Sequence, residues 1–183
     1  MRTLIAGLHV WLFATSVSAQ ERPAPANAHA ALAPLAGKWE TRARFWTWEQ
    51  PSAAPMECTA TVTAKLIMGG RFLLQNVEGE CMKRPLEAIG VIGYDSATAQ
   101  YEAASFSSMG PGITRHVGKM NDAGEIVLHS GYQDQTTGKR VDRRTVRTMI
   151  SKGEWVETAH ETRNNVERKV MEIRARRVDN GAA

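Results

Sequence analysis

The feature that most constrains the fold is a recurring alternation of short strand-like segments and turn-forming residues. Ten such segments follow residue 35, and turns separate them about every ten residues, which is typical of barrels and sandwiches. No segment of helical periodicity exceeds two turns. The predicted strands are Lys38–Trp48, Glu57–Ile67, Arg71–Met82, Glu87–Tyr94, Gln100–Ser107, Gly112–Met120, Glu125–Tyr132, Lys139–Ser151, Glu154–Arg163 and Val166–Arg177.

Short connections between consecutive strands favour an antiparallel up-and-down arrangement. Ten strands without covering helices would leave two exposed sheet edges, and closure into a barrel removes both. The sequence therefore predicts an all-β fold: an antiparallel up-and-down β-barrel of about ten strands, preceded by a short N-terminal helical turn.

Two pairs of turn residues predict the registers of two hairpins. A two-residue turn at Gly69 and Gly70 pairs apolar with apolar residues, and the pairs are Leu66 with Leu73 and Val62 with Val77. A second turn at Asn164 and Asn165 predicts one common face whose members are Val156 opposite Ile173, Thr158 opposite Met171, and His160. Glu161 and Arg168 face each other on the other side.

The first register places the two cysteines, Cys58 and Cys81, directly opposite each other. Opposed residues have Cβ atoms about 4.5–5.5 Å apart, and a disulfide needs about 3.5–4.5 Å, so a modest adjustment would join them. Counted from a two-residue turn, the pair falls at a wider, hydrogen-bonded position, unless a bulge shifts the alternation. We expect a disulfide; two free buried thiols, or a redox or metal role, are the alternatives.

The N-terminus has the pattern of a secretory signal peptide over residues 1–19. Arg2 precedes an apolar run that ends in Val17-Ser18-Ala19, a small-residue cleavage site, and the run is shorter than the roughly 20 residues of a membrane anchor. We expect a periplasmic or secreted protein, soluble after cleavage following Ala19. The remaining chain divides into a linker with a short helical turn (20–34), one barrel domain (35–178) and a tail (179–183).

The charge of the chain is +4 and is concentrated toward the C-terminus. From Lys139 to Arg177 there are twelve Lys and Arg against six Asp and Glu. Such a segment indicates either a solvated outer face of long strands or a structural module that binds an anionic partner through a basic outer face. We expect no nucleic-acid partner and no membrane span, and the sequence indicates no oligomeric state.

Several short motifs resemble one bacterial family in their order and spacing. They are Gly37-Lys38-Trp39, Met68-Gly69-Gly70-Arg71-Phe72-Leu73, Gly90-Val91-Ile92-Gly93-Tyr94-Asp95, Ser108-Met109-Gly110-Pro111-Gly112-Ile113 and Gly131-Tyr132-Gln133-Asp134. From about Leu32 to Arg177 the chain resembles the family called domain of unknown function 1579. That resemblance implies a calycin-type β-barrel and no established reaction, and the Gly-x-Trp start is similar to that of lipocalin-type barrels.

The alternation predicts which side chains line the barrel interior. The candidates are Trp39, Thr41, Phe45, Val62, Leu66, Leu73, Val77, Val156, Thr158, His160, Met171 and Ile173. This composition suits either a cavity for a small apolar ligand or a packed core. The leading hypothesis is a barrel that binds a small, largely apolar molecule in its interior.

The remaining polar residues suggest other functions less strongly. We expect no cofactor, although a late-strand histidine such as His160 resembles the haem ligand of nitrobindin-like proteins. The histidines lack the spacing of a metal site, and no catalytic residues are assigned. A hydrolase or isomerase in the same cavity would need His160, Glu78 and Arg115 to converge. Trp46 and Trp48, which are predicted to share a strand face with Arg42 and Arg44, suggest cation–π pairing or a stacking surface.

Overall fold

The computed structural model describes residues 27–134 and 137–178, and these form a closed antiparallel β-barrel in which each strand pairs with its sequence neighbours and β1 pairs with β10. The strands are β1 (Gly37–Phe45), β2 (Met56–Ile67), β3 (Phe72–Cys81), β4 (Arg84–Asp95), β5 (Gln100–Ser107), β6 (Thr114–Met120), β7 (Ile126–Gln133), β8 (Arg140–Ser151), β9 (Glu154–Arg163) and β10 (Val166–Arg177). A short helix α1 (Asn27–Ala30) and a 3₁₀ turn (Ala33–Leu35) precede β1. The predicted fold class is confirmed.

Two strand boundaries differ clearly from the prediction. Strand β1 ends at Phe45 rather than Trp48: its pairing with both neighbouring strands stops at Phe45, and the Trp46 amide makes one further hydrogen bond to β10, at the Val170 carbonyl (2.9 Å). Strand β4 begins three residues early, after a turn at Met82 and Lys83 whose φ angles are +52° and +60°. These two residue types rarely adopt positive φ, so the turn has no recognisable sequence pattern.

The first hairpin has the predicted register, from Ile67 opposite Phe72 to Cys58 opposite Cys81. Its turn holds the four residues 68–71 rather than two. In an antiparallel hairpin, wide hydrogen-bonded pairs alternate with narrow pairs that are not hydrogen-bonded, and the longer turn exchanges the positions of the two kinds without a bulge. The Cα atoms of Cys58 and Cys81 are 4.3 Å apart, a spacing typical of a narrow pair, and the two residues form the predicted disulfide.

The second hairpin departs from the predicted register halfway along. The turn is as predicted and Glu161 lies opposite Arg168, but the pairing shifts by one residue at Val170. Beyond this β-bulge, Val156 lies opposite Arg174 and Thr158 opposite Glu172. The predicted pairing of these residues with Ile173 and Met171 is therefore wrong. The extra residue in β10 shifts the pairing by one, so that residues of β9 expected on the inner face lie on the outer face.

The N-terminal segment closes one end of the barrel. Leu32 and Leu35 are buried in the same apolar cluster as Trp39, whose indole Nε1 donates to the Leu35 carbonyl (2.9 Å). The Tyr101 hydroxyl, from β5, donates to the Ala28 carbonyl (2.8 Å). The helical turn predicted in the linker thus packs into the core at the end of the barrel where β1 begins.

The predicted signal peptide, at residues 1–19, lies outside the described residues, as does the predicted tail at 179–183. Within 27–134 and 137–178, no helix has the length and apolar character that crossing a membrane requires.

Candidate functional site

The predicted interior residues fall into two groups in the structure. Most lie on the inner face: Trp39, Val62 and Leu73 are buried in the core, and Ile173 and Val77 pack against it. Thr41 is buried as well and donates its hydroxyl to the Ala60 carbonyl (2.9 Å). Leu66, near the strand end, is 38 % exposed. The half of the barrel next to the N-terminal segment is therefore filled by side chains.

Three candidates lie on the outer face. Val156, Thr158 and His160 alternate with the buried residues Trp155, Ala159 and Glu161 of the same strand. Their predicted inward direction was wrong because of the bulge at Val170. His160 lies opposite Lys169 and Arg144 on the outer face, whereas a haem held by this residue inside the barrel would require the inner face.

Toward the other end of the barrel, the interior keeps a cavity of about 200 Å³. One part of its wall is apolar and comprises Ile92, Ala103, Ile126, Leu128 and Met171. The other part is polar and comprises Gln75, Ser105, His116, Arg143, Thr145, Arg147 and Glu157. Of the twelve predicted candidates, Met171 lines this cavity, and the polar wall was not predicted.

Arg147 is held in the wall by a dense set of contacts. Its Nε donates to Glu157 Oε2 (2.6 Å), and its Nη1 donates to Gln75 Oε1 (3.3 Å). The guanidinium also lies over the ring of Trp155, 5.0 Å from the ring centroid. Both members of the ion pair are largely buried, with side-chain exposures of 17 % and 14 %. Such a pair is fixed in position because separating it would leave a buried charge without compensation.

His116 and Arg143 each direct one unpaired atom into buried space. His116 Nε2 lies 3.3 Å from Ser105 Oγ, but its Nδ1 has no hydrogen-bond partner among the described residues, and neither does Arg143 Nε. Burial lowers the pKa of His116, and the neighbouring charges of Arg143 and Arg147 lower it further against the opposing effect of Glu157. The imidazole is therefore neutral near pH 7.

A second pocket, of about 250 Å³, lies at the mouth of the barrel opposite the N-terminal segment. The buried Glu161 carboxylate is at its centre and accepts hydrogen bonds from Arg143 Nη2 (2.6 Å), the Tyr132 hydroxyl (2.9 Å) and Arg163 Nη2 (3.2 Å). Desolvation and the Glu161 contact raise the pKa of Tyr132. Arg143 and Met171 line both pockets, so the pocket at the mouth and the interior cavity are neighbours.

The loop after β1 covers part of this mouth. Trp48 lies between the guanidinium groups of Arg163 and Arg168, whose carbons are 5.4 and 5.0 Å from its ring centroid. The ammonium nitrogen of Lys169 lies over the Trp46 ring, 4.9 Å from its centroid. The prediction that Trp46 and Trp48 share a strand face with Arg42 and Arg44 was wrong, because both tryptophans follow the end of β1. The predicted interior residue Phe45 lines this pocket as well.

A third concavity, of about 850 Å³, lies on the outer face of β10, β1, β2 and β3. Six glutamates and four arginines line it, so this face is not basic. Its exposed pairs, such as Arg44 with Glu57 (3.2 Å), stabilise little.

The residues considered for a hydrolase or isomerase do not meet. Glu78, Arg115 and His160 lie on the non-adjacent strands β3, β6 and β9. In the described part of the chain, no group of three His, Cys, Asp or Glu side chains is arranged to hold a metal ion.

Comparison with known proteins supports the fold. The S-type phycobiliprotein lyase CPES from Guillardia theta has a TM-score of 0.58 at 10 % identity, over 84 % of this chain and 93 % of the lyase. Rv2717c from M. tuberculosis has a TM-score of 0.57 at 18 % identity, over 84 % of this chain and 99 % of that protein. No curated protein matches the chain in sequence.

The family assignment rests on the sequence itself. The family model described as "Protein of unknown function (DUF1579)" matches residues 24–177, which include the whole barrel. This range agrees with the motifs that run from the Gly-x-Trp start of β1 to the end of β10. The chain therefore belongs to the DUF1579 family.

Proposed function

We propose that this protein binds a small amphipathic molecule inside the barrel. The observation that carries the proposal is the interior cavity, whose wall is apolar on one part and polar on the other. Binding sites for small molecules combine an apolar lining with a few placed polar groups, and this cavity has that composition. The cavity measures about 200 Å³ and the neighbouring pocket at the mouth about 250 Å³, so we expect a small ligand.

The polar wall changes the kind of ligand that we expect. The sequence favoured a largely apolar molecule, but an apolar group placed against Arg143 and His116 would leave Arg143 Nε and His116 Nδ1 without partners, at an energetic cost. A ligand with one polar end satisfies these atoms and still covers Ile126 and Met171. The barrel fold shared with the phycobiliprotein lyase and Rv2717c fits an interior binding site.

Gly90 offers a way to fill the cavity without disturbing the barrel. A Cβ atom at this position would have its nearest neighbours at 3.9 and 4.0 Å, which is ordinary contact, and the residue lines the cavity. Gly90→Phe should therefore fold and block the interior. Gly112→Phe is the matched control, because this glycine lies in an exposed turn with no heavy atom within 4 Å of such a Cβ.

The probes are two pairs of small amphiphiles: octanoate with 1-octanol, and 4-phenylbutanoate with 4-phenylbutanol. Isothermal titration calorimetry should detect binding of at least one probe to the wild type and to Gly112→Phe, and none to Gly90→Phe. Binding that survives in Gly90→Phe, or no binding of any probe to the wild type, would overturn the proposal.

We also propose that the chain is exported, because residues 1–19 have the signal-peptide pattern and an oxidising compartment favours the Cys58–Cys81 disulfide. Expression of the full chain in a Gram-negative host, followed by cell fractionation and intact-mass measurement, tests this. The expected product is a periplasmic or extracellular chain that begins at Gln20. A full-length product that remains in the cytoplasm would contradict export.

A further inference from the structure

Two unpartnered polar atoms border the same interior cavity. His116 Nδ1, on β6, and Arg143 Nε, on β8, are buried and have no hydrogen-bond partner in the described part of the chain, and both residues line the cavity. Buried polar groups in proteins are nearly always hydrogen-bonded, so an unpartnered pair in one cavity calls for partners supplied by water or by a ligand.

Both atoms can act as donors. Arg143 Nε always carries a hydrogen. If the Ser105 hydroxyl donates to His116 Nε2, 3.3 Å away, the neutral imidazole carries its proton on Nδ1 and presents an N–H to the cavity. Two donors that border one cavity favour a ligand group that accepts two hydrogen bonds.

A carboxylate suits these donors best, because its two oxygens can accept both hydrogen bonds and the bond from Arg143 is charge-assisted. The wall carries no surplus charge: Arg143 is paired with Glu161 and Arg147 with Glu157, and burial keeps His116 neutral. Arg147 is already engaged through Nε, Nη1 and Nη2, so Arg143 is the arginine with a nitrogen left for a ligand.

We propose that the cavity takes a small monocarboxylate, whose carboxylate accepts hydrogen bonds from Arg143 Nε and His116 Nδ1. This inference rests on the proposed function and names its ligand class. The apolar part of the ligand lies against Ile126, Leu128 and Met171. Such an arrangement pairs every donor with an acceptor and uses a charge-assisted hydrogen bond, the stronger kind.

Other ligand classes fit less well. A cation would face two arginines and could accept no hydrogen bond from the two unpartnered donors, and a neutral carbonyl or hydroxyl would accept a weaker bond from Arg143 than a carboxylate does. A phosphate dianion would bring a second negative charge next to Glu157.

The test compares each carboxylate with its alcohol, using the probes named above, by calorimetry at pH 7. The wild type should bind octanoate and 4-phenylbutanoate at least about tenfold more tightly than 1-octanol and 4-phenylbutanol, since a hydrogen bond to a charged group is stronger than one between neutral groups. Arg143→Met and His116→Phe should each weaken binding of the carboxylates much more than binding of the alcohols, and so lose most of the preference.

Arg144→Met is the matched control, because Arg144 is the next residue on β8 and pairs with Glu167 on the outer face. This variant should keep the full preference. If Arg143→Met fails to fold, Arg143→Lys, which keeps the charge but lacks Nε, should reduce the preference several-fold. Equal binding of carboxylates and alcohols by the wild type would refute the carboxylate site and leave the binding function standing, whereas no binding of any probe would refute both.

Discussion

Glu161 shows how much a single side chain can organise in this barrel. Its exposure is 3 %, and its two oxygens accept hydrogen bonds from Arg143, Arg163 and Tyr132. Arg163 in turn donates to Asp134 Oδ2 (2.9 Å) beyond the end of β7. A carboxylate in this position joins β7, β8 and β9 at the mouth of the barrel.

Glu161→Gln should therefore lower the free energy of unfolding by about 3 kcal/mol, because it removes the carboxylate partner of Arg143 from a buried cluster and leaves Arg163 with Asp134 alone in that cluster. Urea unfolding followed by tryptophan fluorescence measures the change. Glu167→Gln is the control: this carboxylate pairs with Arg144 at 42 % exposure, and we expect a loss below about 1 kcal/mol. Equal losses in the two variants would contradict the role of the Glu161 cluster.

His116 should make carboxylate binding depend on pH. Burial lowers the pKa of the free residue, and a bound anion favours the protonated ring, so the pKa is higher in the complex than in the free protein. Binding then takes up a proton, and affinity for 4-phenylbutanoate should rise as the pH falls from about 7 to about 5.5, by at most tenfold per pH unit.

Calorimetry across this range, above the pKa of the probe itself, measures the pH effect. His116→Gln should abolish the dependence, and His129→Gln, which changes an exposed residue of β7, should keep it. Besides Ser105, the charged groups around His116 are Arg143, Arg147 and Glu157, all within the strands that form the cavity. A flat wild-type profile would count against the contact between His116 and the carboxylate.

At the scale of elements, the β2–β3 hairpin is fastened at its open end by the disulfide. Replacing both Cys58 and Cys81 with serine should lower the free energy of unfolding by about 3 kcal/mol, because the bond closes a loop of roughly 24 residues in the unfolded chain. Chemical denaturation of the oxidised wild type and of the double variant measures this difference. Wild type treated with a reductant should match the variant, and a difference between the two would point to lost packing rather than lost cross-linking.

Strand number, order and the first hairpin could be predicted because alternation and turn residues are local properties of the sequence. The polar cavity wall could not, because a charged residue in a strand is ordinarily read as solvent-facing. Arg143 and Arg147 share the face of β8 that begins with the buried Val141, and this spacing was the available clue. Their partners Glu157 and Glu161 lie on β9, whose inner face was predicted the wrong way round because Val170 bulges.

Considered as a whole, the molecule has two unlike ends. One end is closed by α1 and the 3₁₀ turn, which pack Leu32 and Leu35 onto the core, and the other end opens through a charged mouth toward the cavity. The apolar end supplies stability and the polar end carries the candidate site, so we expect substitutions at the two ends to affect different properties.

Leu32→Ala should lower the free energy of unfolding by about 2–5 kcal/mol and leave the ligand preference unchanged, because Leu32 is fully buried and is not one of the residues that line the cavity. Leu66→Ala is the control: because Leu66 is 38 % exposed, this substitution should lower the free energy of unfolding by less than half as much. Thermal unfolding, with calorimetry of 4-phenylbutanoate on the folded variant, measures both properties. A change in preference without a loss of stability would show that the two ends are coupled.

The bulge at Val170 has a consequence for anyone who edits or compares this hairpin. Side chains along a strand alternate between the inner and the outer face, so one inserted residue exchanges the two faces for every residue beyond it. A graft, deletion or alignment that ignores Val170 would exchange Glu157 for Thr158 on the cavity side. When a binding site is transplanted into this hairpin, its inward positions must therefore be assigned separately for the residues before and after the bulge.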